Sequence, residues 1–288
     1  MRQADTVGID VSAKELVVAV RREGRVLDLM RFSNDAEGHG RLIRYLTKGG
    51  RRARVALEST GVYSLDLALA LHRARRIEVM VANPRSVKDF SDALMKRTKT
   101  DPEDAIVILE YVERMPFQEW VPPRDNALIL RTIARRITSL TQSAAAEKNR
   151  LHASDYLAAA SPVIRRDILV NLRHLKRRIA ALAKQAISVV REDPELVRKF
   201  NHLVSVKGIA RASAVQILGE LEVLPVDMTA RQWVAHAGLD PRHHDSGTSI
   251  AKPARISKVG NQRIRAALYM PALVAIRHQP RIREYADA

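Results

Sequence analysis

Short apolar runs separated by turn residues fill the first 115 positions, and apolar residues spaced three and four apart take over from position 127. Thr6-Val7-Gly8-Ile9-Asp10-Val11-Ser12 predicts a strand that ends in an acid, and residues 16–20 predict a second. The turn Arg22-Glu23-Gly24-Arg25 leads into a third strand over residues 26–32, giving an antiparallel meander. Helical periodicity follows over residues 36–48, with Leu42, Ile43 and Leu46 on one face and Gly49-Gly50 as its stop. A fourth strand at residues 54–57 runs directly into Glu58-Ser59-Thr60-Gly61, and a helix over 62–73 leads to a fifth strand at 77–81. Helices over 86–95 and 101–114 follow. The order β-β-β-α-β-α-β-α-α predicts a mixed sheet covered by helices.

Pro116, Pro122 and Pro123 mark a boundary. Beyond it Leu128, Ile133, Ile137 and Leu140 line one side of a long helix, and Ile168, Leu172, Leu175 and Ile179 line a second over residues 163–191. Arg131, Arg135 and Arg136 occupy the other side of the first, and Arg173, Lys176 and Arg177 that of the second. Two antiparallel amphipathic helices with a basic face predict a hairpin or coiled coil. From residue 201 the elements shorten. Residues 203–214 predict a helix-hairpin-helix-like element, in which a turn at Gly208 offers backbone N–H groups to a phosphate flanked by Lys207 and Arg211. A helix up to Gly238 is followed by a loop over residues 242–249 and a final helix. The expected fold class is α/β plus all-α. Its three parts are residues 1–122, 123–200 and a small, mostly helical 201–288.

Composition adds a partner to this picture. The 288 residues are 46% hydrophobic, which marks a globular chain, and no cysteine is present, which excludes disulfides and thiolate metal sites. No apolar run is long enough to cross a bilayer, and the start of the chain lacks a signal-peptide core, so a bacterial cytoplasm is expected. The net charge of +17 is uneven. Lys and Arg against Asp and Glu number 21 and 18 over residues 1–123, 16 and 7 over 124–200, and 12 and 7 over 201–288, or +3, +9 and +5. A polyanion is the natural partner. With only 4% aromatic residues, base stacking gives way to phosphate contacts, and a membrane surface lacks its aromatic anchors. Lys99, Arg135, Arg136, Arg173, Arg177, Lys207, Arg211, Lys258 and Arg263 are the expected contacts to nucleic acid.

The candidate chemistry lies in four acids. Asp10 ends the first strand and Glu58 follows the fourth; as parallel neighbours their carboxyl ends meet where open α/β sheets place ligands. Asp101 and Asp104 stand one helical turn apart in Thr100-Asp101-Pro102-Glu103-Asp104. Their spacing alone leaves two readings open. With Pro102 at the first helical position, Asp101 is an N-cap and Asp104 completes a capping box. Alternatively the pair joins Asp10 and Glu58 around Mg²⁺ or Mn²⁺, which relieves their repulsion and clamps a phosphodiester.

Gly8-Ile9-Asp10-Val11-Ser12, Ala56-Leu57-Glu58-Ser59-Thr60-Gly61-Val62-Tyr63 and Lys99-Thr100-Asp101-Pro102-Glu103-Asp104-Ala105 resemble the three acidic motifs of the DEDD transposases. These are the bridge-RNA-guided recombinases of one insertion-sequence family, with the Piv-type DNA invertases. The resemblance implies a RuvC-like RNase H fold for the first domain, with Asp10, Glu58, Asp101 and Asp104 as metal ligands. Ala237-Gly238-Leu239-Asp240-Pro241, Ser246-Gly247 and Ile256-Ser257-Lys258-Val259-Gly260 resemble the second domain of the same transposases, where the serine corresponding to Ser246 is the nucleophile.

On the residues alone Ser246 is a turn serine with Thr248 and Ser249 as rivals. His243 and His244 offer proton transfer, and His236, His243, His244 and Asp245 a minor alternative metal site. The resemblance further implies double-stranded donor and target DNA, a structured guide RNA, and a homodimer or homotetramer with composite active sites. Family members usually continue past the position of Ala288. Rival readings are a nuclease or Holliday-junction resolvase that uses water, an invertase without a guide, and a non-catalytic nucleic-acid-binding protein.

Overall fold

The structure, a computed structural model, describes residues 4–59, 61, 63–95, 100–156, 162–246 and 250–287, with the side chains of all but 243–246 and 250–254. The chain forms two compact units, residues 1–122 and 123–288.

The first unit is built on strands β1 (Asp5–Val11), β2 (Glu15–Arg22), β3 (Arg25–Val26), β4 (Met30–Ser33), β5 (Ala53–Glu58) and β6 (Ile77–Ala82). Their order is β3-β2-β1-β5-β6, with β4 also on β2. β2 is antiparallel to β1, whereas β1, β5 and β6 run parallel. The third strand expected over residues 26–32 is split. Val26 pairs with Arg21 and Met30 with Val18, so four steps on one strand oppose three on the other. The extra residue breaks the ladder as a bulge does.

β1 is apolar on one face, through Val7, Ile9 and Val11, and carries Thr6, Gly8 and Asp10 on the other, and helices cover both. Val7, Ile9 and Val11 pack with Leu42 and Leu46 of α1 (Ala36–Thr47) and Leu67 and Leu71 of α2 (Leu65–Arg73). The other face meets α4 (Asp101–Arg114), through Ala105 and Leu109 against Val17 and Ala19, and Ile108 against Ala56 and Met80. The helix α3 (Pro84–Ala93) starts at the cap Asn83, whose side chain accepts from Arg85 N.

In the second unit α5 (Asp125–Ser154) and α6 (Pro162–Arg191) lie antiparallel: Glu147 accepts from Asn171 at 3.1 Å, and Leu130 shares a cluster with Ala186 and Val190. That same cluster includes Leu196 of α7 (Pro194–Ser205) and Val215 and Leu218 of α8 (Arg211–Leu221), so one core spans the boundary expected near residue 200. Then follow α9 (Ala230–Ala237), the antiparallel pair β7 (Pro241–Ser246) and β8 (Ile250–Ile256), α10 (Gln262–His278) and α11 (Pro280–Asp287). The hairpin β7–β8 replaces the expected loop. Its segments Arg242-His243-His244-Asp245-Ser246 and Ala251-Lys252-Pro253-Ala254-Arg255 lack apolar alternation, which is the signal that announces a strand. No described helix is long and apolar enough to cross a membrane.

Candidate functional site

The acidic site follows from one close contact. Gly8 lies under α4: a Cβ there would stand 2.2 Å from Leu109 N and 2.4 Å from Ala105 O, both backbone atoms. The helix therefore rests on the strand itself. Side chains alternate along a strand, so Asp10 points to the same face as Gly8. Gly8 pairs with Ala56 in register, and Ala56 packs against α4, so Glu58 two residues on shares that face. Asp101 and Asp104 occupy the first turn of the helix whose second turn touches Gly8. Three elements thus bring four acids to the carboxyl ends of β1 and β5.

The electrostatics agree. Burial, then the charges of Asp101, Asp104 and Glu58, push the Asp10 carboxyl from 3.8 up to about 6. Each of the three acids from the other elements acts on Asp10. The N-terminal end of α4 adds partial positive charge beside them, which offsets part of the repulsion. The capping reading is corrected. Thr100 is the N-cap of α4, Asp101 is its first residue and Pro102 the second, and Thr100 makes no side-chain capping bond. Hard carboxylate oxygens suit Mg²⁺ or Mn²⁺. Among the described residues no three acidic or histidine side chains stand close enough together to hold an ion as placed. The structure shows a coupled acidic cluster rather than a formed coordination shell.

Sequence reasoning missed the brace behind this cluster. Asn34 Nδ2 donates to Ser12 O at 2.8 Å and to Tyr63 O at 3.1 Å, tying the turn after β1 to the loop after Glu58. His39 is 6% exposed, and its Nε2 lies 2.8 Å from Asn34 Oδ1. With both amide hydrogens of Asn34 committed, Oδ1 accepts and His39 donates, and burial holds the imidazole below its usual range. The only sequence signal was two polar residues beside the helix start at Asp35. Asn34→Ala is expected to cost about 1–2 kcal/mol of stability and to reduce site function by loosening both loops; thermal melts with a DNA-cleavage assay check it.

In the second unit Ser246 ends β7, paired with Ile250. Its side chain lies outside the described residues, as do Thr248 and Ser249 and the side chains of His243, His244 and Asp245. The motif segments around it have a clear task. Gly260 has φ +130°, and a Cβ there would stand 2.3 Å from His236 O. Asn261 N donates to His236 O at 2.7 Å, Lys258 N to Gly238 O at 3.0 Å and Ser257 Oγ to Asp240 Oδ1 at 2.6 Å. The two segments clasp the base of the hairpin that carries Ser246. His236 belongs to this clasp, with its Nε2 buried and without a hydrogen-bond partner among the described residues, and burial holds it below the usual histidine range.

The expected nucleic-acid contacts divide. Lys99 lies outside the described residues. Arg136, Arg173, Arg177, Arg211, Lys258 and Arg263 are exposed. Arg135 is half-buried and held by Glu220: its Nε and Nη2 donate to Glu220 Oε1 and Oε2 at 2.7 and 2.9 Å. Lys207 is turned toward the end of α10, with Nζ 3.4 Å from His278 O. Gly208 is half-buried, with its Cα facing α10. A Cβ there would meet Pro271 O at 2.8 Å, so its bareness admits α10.

A transposase family model, DEDD of the IS110 type, matches residues 7–162, and a second, the transposase IS116/IS110/IS902 family, matches residues 201–287. The chain belongs to this transposase family. The pilin gene-inverting proteins of Moraxella bovis and Moraxella lacunata are each 29% identical to it over 222 residues, 76% of this chain and 66% of theirs. The matched region thus spans just under two thirds of those relatives. Similar solved structures are T. thermophilus RuvC in complex with a Holliday junction substrate and Thermus thermophilus RuvC. They are 16% and 18% identical, cover 41% and 40% of this chain and 99% and 98% of RuvC, and have TM-scores of 0.31 and 0.29.

Proposed function

We propose that this chain is a DNA recombinase that cuts and rejoins strands through a phosphoserine intermediate, with its first unit a RuvC-like RNase H domain. The observation that carries the reading is the meeting of Asp10 and Glu58 with the first turn of α4 on one face of the sheet. Family membership over both units supports it. Asp10, Glu58, Asp101 and Asp104 are the residues that would hold Mg²⁺ or Mn²⁺. A divalent cation bound there supplies Lewis-acid polarisation of phosphoryl oxygens and eases deprotonation of an attacking hydroxyl.

The chain's own residues perform the rest. Ser246 Oγ attacks the phosphorus of a DNA phosphodiester. The Oγ–P bond forms, the bond from phosphorus to the departing sugar oxygen breaks, and that oxygen ends as a hydroxyl, taking up a proton in place of the one lost from serine. The ester is conserved, so reverse attack by another DNA hydroxyl rejoins the strand without an external energy source. The clasp of residues 236–240 and 257–261 orients the hairpin whose first strand ends in Ser246. Arg136, Arg173 and Arg177, with Arg211, Lys258 and Arg263, contact phosphates of donor and target DNA and of a structured guide RNA. Composite sites in a homodimer or homotetramer complete the proposal.

Trapping tests it. Wild-type protein with a divalent cation and duplex DNA carrying the element's ends is expected to form a covalent protein–DNA adduct. Ser246→Ala abolishes the adduct, and Asp104→Asn abolishes it with little change in melting temperature. Cleavage without an adduct, unaffected in Ser246→Ala, would return the protein to the water-using nucleases. A second reading is DNA inversion, which the gene-inverting relatives favour, carried out without a guide RNA. RNA sequencing of the purified protein separates the two.

A further inference from the structure

The end of the sheet opposite the acids gathers arginines. Arg51-Arg52-Ala53-Arg54 leads into the start of β5 and Arg73-Ala74-Arg75-Arg76 precedes β6, and the parallel register begins at Ala53 opposite Ile77. Two basic segments more than twenty positions apart therefore emerge side by side. β2 ends at the same edge with Arg22. There they line a cleft of about 890 Å³ through Arg22, Arg51, Arg52, Arg54 and Arg76, against Asp5, Glu23 and Glu78. Five cations and three acids leave +2 in the lining, within a domain that is otherwise close to balanced.

The pairing leaves donors to spare. Asp5 takes Arg22 at 2.7 Å, and Glu78 is shared by Arg54 at 2.8 Å and Arg52 at 3.3 Å. Arg51 Nε is buried without a hydrogen-bond partner among the described residues. Arg76 has φ +134°, a conformation that side chains other than glycine rarely adopt, and its carbonyl accepts from Ala53 N at 2.9 Å. Strain held in place by surrounding structure is a mark of positions kept for a task. Here it sets the Arg76 guanidinium on Gly50 O. The nearby aromatic rings, Tyr45 and Phe117, lie under Arg22 and Arg54. They offer no free platform for an unstacked base, so the chemistry suits phosphates of a duplex.

We propose that this arginine-lined cleft binds the backbone of a second DNA duplex, apart from the one at the acids. The inference rests on the recombinase reading, because an exchange of strands brings two duplexes together. Asp5 in the cleft and Asp10 at the acids are five residues apart on β1, or about 17 Å.

The test is a fluorescence-anisotropy titration of the full chain with a 30-base-pair duplex over a range of salt, comparing wild type with the double variant Arg51→Ala/Arg76→Gly. Glycine removes the strain, so the variant keeps or gains melting temperature. The expected result is several-fold weaker binding, independent of sequence, with the salt slope reduced by about 2, one for each phosphate no longer neutralised. Unchanged affinity and slope overturn the proposal. A loss confined to a matched RNA duplex also overturns it, assigning the cleft to RNA. If the wild type binds no duplex DNA, the recombinase reading fails as well. Failure of the cleft alone leaves adduct formation at Ser246 intact, so the two are distinguishable.

Discussion

Gly8→Ala is expected to destabilise the first unit by about 3 kcal/mol or more, beyond the usual cost of one added methyl group. Most overpacked sites relax by turning a neighbouring side chain. Here the added Cβ meets Leu109 N at 2.2 Å and Ala105 O at 2.4 Å, and both belong to the helix backbone. α4 has to lift from β1. Lifting opens the cluster of Val17, Ala19, Ala105 and Leu109 and carries Asp101 and Asp104 away from Asp10. Stability and any response to divalent metal should therefore fall together. Thermal melts with and without Mn²⁺ measure both, and a melting temperature within a degree or two of wild type would show that the contact is not what holds the site.

Glu220→Ala is expected to be as damaging in the second unit, though it lies far from any proposed chemistry in the sequence. Glu220 is 3% exposed and joins three elements. Arg135 of α5 donates to it twice, and Asn261, the cap of α10, donates at 2.8 Å. Arg131 Nε stands 3.9 Å away. Burial pushes the carboxyl up, but hydrogen bonds from Arg135 and Asn261 and the charges of Arg135 and Arg131 outweigh it and hold it below its usual value. Removing it leaves the guanidiniums of Arg131, Arg135 and Arg263 without the carboxylate they share. Breaking a buried pair on one side costs about 3–5 kcal/mol, or on the order of 10 °C for a unit of this size. Because Asn261 closes the clasp under the hairpin, adduct formation should fall too. Glu220→Gln keeps an acceptor and should lie between. A melt of Glu220→Ala matching wild type would contradict this.

Much of the first unit was legible in its residues. The run from Gly8 to Ser12 announced a strand closing on an acid, and the bounds of α4 were read as they stand. The decisive feature at Gly8 was not readable, since a glycine in a strand does not reveal what approaches it. The cap was misplaced by one residue: Pro102 fits the second helical position as well as the first, and Thr100 took the cap. The hairpin that carries Ser246 was hidden because its strands are polar. Arg135 looked like part of a phosphate-binding face, because the partner that turns it inward, Glu220, is 85 positions away. Asn34 and His39 gave almost no signal, for Asn34 acts by reaching backbone carbonyls of two distant turns and His39 by holding the Asn34 side chain.

Everything proposed for the first unit turns on Asp10, Glu58, Asp101 and Asp104 acting as one cation-holding cluster. A carboxyl raised from 3.8 to about 6 on folding contributes most stability when protonated. That stability is lost as pH rises through about 6. The effect is on the order of 1 kcal/mol, once discounted for the water that reaches a half-buried group. The direct measurement is the melting temperature of the metal-free protein from pH 5 to 8, with and without Mn²⁺, for wild type and Asp10→Asn. The expected wild-type melting temperature falls between pH 5 and 7 and is restored by Mn²⁺ above pH 6. Asp10→Asn should be more stable than wild type at pH 7.5 without metal and respond little to Mn²⁺. A flat wild-type profile, or an Mn²⁺ response of equal size in Asp10→Asn, would contradict a shared cation site.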